Sequence, residues 1–304
     1  MGIFLTGATG FIGKTLSNLL NERGRYAVRE SGSGKFDNEF IVKSIDSNTN
    51  WKDAFQGCDS VIHLAGLAHS NVYTANDFTT VNVEGTRHLA YQAAKAGVKR
   101  FVFVSSIGVN GGSTLDKPFS SFSVPNPHNI YAKSKLDAEL ALYEVSKDTG
   151  LEVVIVRPTL VYGSNAPGNF GLLTKLVNKL PFLPFGLSDN KRDFIAVQNL
   201  ADLLITCANH PDAGGHTFLA SDGETVSIKD FTNAIAKGLN KKLIQLPVPV
   251  SLMRFAARCV GKSAMAEQLL GNLQVDSSNA KEVLGWTPPY TMEQAMASLS
   301  ESKK

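Results

Sequence analysis

The chain has 304 residues, 43% of them hydrophobic and 19% charged, so it can bury a substantial core and does not read as a disordered segment. Its formal net charge of +3 is spread along the sequence, and clusters such as Lys99-Arg100 and Lys241-Lys242 are too short for a polyanion-binding stripe, so nucleic acid is not an expected partner. Three widely spaced cysteines, Cys58, Cys207 and Cys259, offer neither a metal knuckle nor a paired disulfide framework, which fits a reducing, cytoplasmic setting.

Residues 2–6 read as a short buried strand that runs into a glycine-rich turn and then a helix over 14–23, ended by Gly24. The turn interrupts the apolar start, and no later run of about 18 apolar residues follows, so neither a leader nor a membrane contact is expected. The turn itself, Gly7-Ala8-Thr9-Gly10-Phe11-Ile12-Gly13, spaces its glycines as GxxGxxG between the strand and the helix that a dinucleotide loop requires. Glycine lets the backbone approach a pyrophosphate, and the helix behind it offers unpaired N–H groups and its positive dipole end. A second strand at 26–28 is followed by Arg29 and Glu30. An acidic residue there suits the ribose of NAD, and an arginine suits the extra phosphate of NADP, so both cofactors stay open and Arg29 favours NADP.

Apolar strands follow at 60–64, 101–104 and 153–156, separated by helical patterns over about 82–97 and 131–148. Strands alternating with helices predict an α/β fold, a Rossmann-like doubly wound parallel sheet. His63 lies inside the first of these strands and reads as a packed residue rather than a ligand. No histidine has zinc spacing, so no metal is expected. The strand at 101–104 ends in Ser105-Ser106, which puts hydroxyls at the carboxyl edge of the sheet, where such folds bind ligands. Tyr131-Ala132-Lys133-Ser134-Lys135 opens the next helix, and the i,i+4 spacing sets Tyr131 and Lys135 on one face. An ammonium beside a phenol favours its ionised form, which lets a tyrosine act as a base. Ser106, Tyr131 and Lys135 together predict proton and hydride chemistry at a hydroxyl or keto carbon.

After Gly163 the rhythm changes. Pro/Gly-rich stretches at 166–168 and 180–184 give way to several helices with short strands between them. The chain divides into a dinucleotide-binding Rossmann domain over 1–163 and a smaller C-terminal substrate-binding region over 164–304. The second is partly interleaved with the main sheet, because 193–197 and 217–220 read as strands able to rejoin it.

These motifs together resemble the extended short-chain dehydrogenase/reductases of the NAD-dependent epimerase/dehydratase family, in particular the UDP-glucose 4-epimerase-like branch. The likeness covers almost the whole chain. It rests on the glycine turn, His63-Leu64-Ala65-Gly66-Leu67, Val81-Asn82-Val83-Glu84-Gly85-Thr86, Ser105-Ser106 and the Tyr131/Lys135 helix. Arg157-Pro158-Thr159-Leu160-Val161-Tyr162-Gly163, Arg192-Asp193-Phe194-Ile195 and the tail Leu284-Gly285-Trp286-Thr287-Pro288 extend it. The resemblance implies a cofactor lying across Gly7, Gly10, Phe11, Ile12 and Gly13, with Ile45 near the adenine and Leu64, Ala65 and Gly66 along the pyrophosphate and ribose. It implies Tyr131 as the acid/base, Lys135 on the nicotinamide ribose, Ser106 on the reacting oxygen and Pro158 near the nicotinamide. Arg192 and Asn169 would hold a substrate phosphate, and His69 lies in a loop the family uses near substrate.

Departures are visible too. Ser44 stands where the family often has an aspartate, and Ala196 replaces the usual histidine or tyrosine. Ile107-Gly108 after Ser106 differs from the Asp-Glu pair of sugar dehydratases, which disfavours dehydration. The expected reaction is C4 epimerisation of a UDP-hexose, a small-molecule UDP-sugar, through a 4-keto intermediate, and the family alone implies a homodimer. The alternatives are an NADPH-dependent reductase of a 4-keto nucleotide sugar, a reductase of a non-nucleotide ketone, and a non-catalytic dinucleotide sensor. Arg192 and Asn169 oppose the second of these, and the intact Ser106, Tyr131 and Lys135 oppose the third.

Overall fold

The computed structural model describes residues 1–30, 33–68 and 72–301. In chain order, β1 (Ile3–Thr6) leads through the glycine turn into α1 (Phe11–Leu20), and β2 (Gly24–Arg29), β3 (Glu39–Val42) and β4 (Ser60–His63) follow. A short α2 (Ala75–Phe78) passes through a π-helical turn (Thr79–Gly85) into α3 (Thr86–Lys95), and then come β5 (Arg100–Val104), α4 (Ile130–Thr149) and β6 (Glu152–Pro158). Next are β7 (Leu160–Tyr162), α5 (Gly168–Lys179), β8 (Phe182–Leu183), β9 (Arg192–Ala196), α6 (Val197–Asn209) and β10 (Thr217–Ala220). The chain closes with β11 (Thr225–Val226), α7 (Ile228–Gly238), β12 (Ile244–Gln245), α8 (Val250–Cys259), α9 (Ser263–Leu270), α10 (Ser278–Leu284) and α11 (Met292–Glu301).

Seven strands form one parallel sheet in the order β10-β6-β5-β4-β1-β2-β3. Both faces are covered, which is why these strands are nearly continuous apolar runs. On one face Phe4, Val61, Phe101 and Ile155 pack with Leu89 and Ala93 of α3 and Leu142 of α4. On the other, Leu5, Ile62, Val102 and Val154 pack with Leu16 of α1 and Leu200, Leu203 and Leu204 of α6. Strand order reverses between β1 and β4, the switch point at whose carboxyl edge such sheets bind ligands. A second core, outside this sheet, gathers Tyr162, Phe170, Phe194, Phe231 and Met296, with the Phe194 and Phe231 rings stacked 3.7 Å apart.

Several expected boundaries shift, each for a local reason. The first helix begins at Phe11 and ends at Leu20 rather than running over 14–23, because Asn21 turns left-handed at φ 47°. Gly24 already belongs to β2, where a Cβ would come within 2.1 Å of the Tyr26 hydroxyl. The helix expected over 82–97 starts earlier, at Ala75, and carries the π-helical turn that no periodicity announced. β3 left no sequence signal because it lies at the sheet edge and only Val42 of its four residues is buried. The strand at 217–220 does rejoin the main sheet, as β10 beside β6. β9 does not: it pairs with β7 and β11 in a separate three-stranded sheet. Among the described residues no helix is long and apolar enough to cross a membrane.

Candidate active site

The glycine turn closes against its surroundings at two points. Gly7, at φ +76°, accepts the Gly10 N–H at 3.0 Å, and a Cβ on it would lie 2.9 Å from the Ala65 nitrogen. A Cβ on Gly13 would lie 2.1 Å from the Gly7 carbonyl oxygen, so α1 can seat on the turn only because that side chain is missing. α1 has no side-chain cap and no acidic residue in its first turn. The amides of Phe11, Ile12 and Gly13 therefore have no intrahelical acceptor and face the anion-favouring end of the helix dipole. This cradle fits the pyrophosphate of a dinucleotide, with no side chain in its way.

Further along the same edge, Arg29 ends β2 and is exposed, and Ile45 is half-buried with its carbonyl against Gly85. Ser44 donates to the Asp46 carboxylate at 2.5 Å, and Asn48 donates its N–H to the same group at 2.8 Å. These bonds, the Ser44 one first, hold Asp46 below the usual carboxylate range. A carboxylate thus stands two residues after Ser44, a position the sequence reading did not single out.

The three catalytic candidates come together at the carboxyl ends of β4, β5 and β6. Register pairs Val104 with Val156, which brings Ser106 level with Pro158 at the strand ends. Ser106 caps the short 3-10 turn Ile107–Val109, its Oγ accepting the Gly108 N–H at 3.1 Å. Lys135 is buried, donates from Nζ to the Val104 carbonyl at 2.9 Å, and sits 4.5 Å from the Phe103 ring centroid. A Cβ on Gly66 would lie 3.6 Å from that Nζ, so the segment Leu64, Ala65 and Gly66 runs directly beside the lysine. Desolvation brings Lys135 down to about 8, against an opposing pull from Glu139. Tyr131 lies one turn earlier, edge-on to Phe78 at 6.5 Å, and burial pushes its phenol up to about 12. The cause that raises Tyr131 is its burial.

Residues not assigned a role from the sequence hold this arrangement in place. Asn82, in the π-helical turn and buried, accepts the Leu67 N–H at 2.7 Å and donates to the Leu67 carbonyl at 2.9 Å and to Ser134 Oγ at 3.0 Å. Ser134 in turn donates to the Tyr131 carbonyl at 2.8 Å. His63 is a packed strand residue, as expected, set between Thr6 at 2.6 Å and Thr86 at 2.9 Å. Thr6 Oγ1 also accepts the Ala65 N–H at 3.2 Å, which ties the histidine to the start of the loop after β4. Below them, Glu139 is buried and bound by Arg157 at 2.9 and 2.5 Å and by Ser105 at 2.5 Å, which ties α4 to β5 and β6. Asn82 was legible as part of the segment at 81–86, but its partners are 15 and 52 residues away in sequence.

The two phosphate candidates lie elsewhere. Arg192 opens β9, is buried, and donates to the Gly271 carbonyl at 2.8 Å; burial brings it down to about 10. Asn169, exposed on α5, donates to Gln268 at 3.2 Å. Both therefore meet the segment 268–271. The link back to Ser106 is the loop after β5, in which Thr114 and Phe119 bond to Asn272 and Gln274 while Asp193 accepts the Val275 N–H at 2.6 Å. His69 lies outside the described residues. Among the described residues no cluster of acidic, histidine or cysteine side chains could hold a metal ion.

Comparison with known proteins shows the family. The model of the NAD dependent epimerase/dehydratase family matches residues 3–224. A Vibrio cholerae protein named UDP-glucose 4-epimerase is 38% identical over 310 residues, covering 99% of this chain and 94% of the relative. In fold, the chain is similar to a Thermotoga maritima UDP-glucose 4-epimerase solved with UDP-glucose, at a TM-score of 0.76 and 22% identity over 99% and 98% of the two chains. It is also similar to a Bacillus cereus UDP-N-acetylglucosamine 4-epimerase, at 0.79 and 20% identity over 99% of each.

Proposed function

The chain belongs to the NAD dependent epimerase/dehydratase family and is an enzyme of it, and on that premise we propose that it interconverts UDP-hexoses that differ in configuration at C4. The observation that carries the reading is the meeting of Ser106, Tyr131, Lys135 and Gly66 at the sheet edge that the glycine cradle also opens onto. Gly7, Gly10, Phe11, Ile12 and Gly13 would hold the pyrophosphate of NAD, with Ile45 toward the adenine, Leu64, Ala65 and Gly66 along the ribose, and Pro158 at the nicotinamide end. When bound, that cofactor supplies acceptance of a hydride from C4 and its return to the opposite face. Ser106 Oγ donates to the C4 oxygen and Tyr131 Oη exchanges the proton of that oxygen. Lys135 leaves the Val104 carbonyl for the ribose and brings its ammonium toward the phenol. Residues 164–304 form the substrate side, in which Arg192 and Asn169 bind the diphosphate. We place the enzyme in the cytoplasm, where its three free cysteines stay reduced, and as a homodimer.

One observation favours a second reading. Burial pushes the Tyr131 phenol up, toward the protonated form that donates to a keto oxygen. Exposed Arg29 would add affinity for the 2′-phosphate of NADPH. Together these fit reduction of a 4-keto nucleotide sugar.

The two are separated by incubating freshly purified enzyme with UDP-glucose and following the C4 proton by NMR. Equilibration with UDP-galactose without added cofactor, with bound NAD retained, is expected. Stoichiometric loss of NADPH on a 4-keto sugar nucleotide, with no equilibration, would establish the second reading. Failure of both would remove the nucleotide-sugar assignment.

A further inference from the structure

α8 carries two apolar stripes where one would serve to fold it. Val250, Met253 and Ala257 pack on the second core. Leu252, Phe255 and Cys259 follow one another at i, i+3 and i+7 on a different side of the helix and are exposed, Phe255 to 65% and Leu252 to 54%. A helix on a protein surface normally turns polar residues outward. Phe182 and Ile244, paired neighbours on β8 and β12, stay uncovered as well. Across a cleft of about 550 Å³ lined by Leu115, Asp116, Val250 and Arg254, Leu115 is 87% exposed. Phe122 and Val124, further along the same loop, are exposed as well.

The charge of the segment that contains α8 is one-sided. From residue 231 to 266 the chain carries Lys237, Lys241, Lys242, Arg254, Arg258 and Lys262 and not one aspartate or glutamate. Lys237 pairs with Glu293 and Arg254 with Glu267. Among the described residues Lys242, Arg258 and Lys262 have no ion pair. Asp116 and Asp189 line the cleft beside Lys191 and Arg254. A second copy docked on α8 itself about a two-fold axis would set Arg258 and Lys262 against their own counterparts. An anionic bilayer meets both features, taking the apolar side chains at the acyl boundary and the cations among its headgroups.

We propose that α8 and the exposed residues around it form a peripheral docking surface for an anionic phospholipid membrane. The contact is interfacial, with the helix lying along the membrane surface. The assignment stands apart from the reaction, since a soluble sugar nucleotide needs no membrane.

The test is sedimentation of the full chain with vesicles of phosphatidylcholine alone and of phosphatidylcholine with phosphatidylglycerol in equal parts. Binding to the anionic vesicles only, weakening with salt, is expected. L252S/F255S and R258E/K262E should each weaken it about tenfold or more without lowering the melting temperature of the second variant. No binding to either vesicle, or binding that both variants leave unchanged, would overturn the proposal. A dimer in solution that L252S/F255S dissociates would also overturn it, by showing that a second copy covers the face.

Discussion

Asn82 clasps the backbone of Leu67 at both ends, its Oδ1 accepting the amide proton at 2.7 Å and its Nδ2 donating to the carbonyl at 2.9 Å. The clasp fixes the loop after β4 against α4, and so fixes Gly66 beside the Lys135 ammonium. The π-helical turn makes it possible, since the widened turn swings Asn82 inward between the two elements.

Asn82→Leu should strip the half-buried Leu67 backbone and the buried Ser134 hydroxyl of a partner, at about 1 kcal/mol each. A lowered urea midpoint and weakened dinucleotide affinity are expected together. Asn82→Asp should recover only the bond from the Leu67 N–H, because its second oxygen faces a carbonyl. Dinucleotide affinity unchanged in both variants would show that the loop holds its place without the clasp.

Tyr131→Phe removes the proton-transferring oxygen and almost no binding surface. Turnover should fall about 10²–10⁴-fold, while the dissociation constant for NAD, measured by fluorescence titration, stays near that of the parent. Near-native turnover would remove Tyr131 from the chemistry.

His63 predicts a specific acid sensitivity. Burial first, and the Lys135 charge second, bring its imidazole down to about 3. The unfolded chain takes up a proton near pH 6.5 that the folded chain refuses until near 3, so stability falls as pH drops through that window, by about 1.4 kcal/mol per unit. Denaturant midpoints at pH 7, 6, 5 and 4 would show the slope, and it should be shallower in His63→Asn. Equal slopes would mean that the acid loss belongs to other groups.

Arg192→Ala tests the substrate end of the molecule. If the guanidinium binds the diphosphate, the variant should bind UDP about 10- to 150-fold more weakly by calorimetry, with NAD affinity unchanged. Arg192→Lys should recover only part, because an ammonium lacks the planar fork. Because Arg192 also holds the Gly271 carbonyl, the melting temperature of each variant separates lost binding from lost folding. UDP affinity equal to the parent's would remove the clamp.

By itself the sequence determined what local chemistry determines. The order of apolar strands and helices led to the doubly wound sheet, because strands buried on both faces must be apolar throughout. The glycine turn was legible because Gly7 and Gly13 answer to constraints within a few residues, a positive φ and a helix seated on its own turn. The pairing of Tyr131 with Lys135 needed only the helical repeat. The tertiary structure alone decided where charge and protons reside. The Lys135 ammonium is held by the Val104 carbonyl, on a strand 31 residues away, and Tyr131 is raised by a burial that no local pattern announces. The strand at 193–197 could have joined either sheet on its pattern, since apolar alternation does not name a partner. It lies in the smaller one, between β7 and β11, where Asp193 accepts from Thr225 and from the Val275 N–H, groups 32 and 82 residues further along the chain.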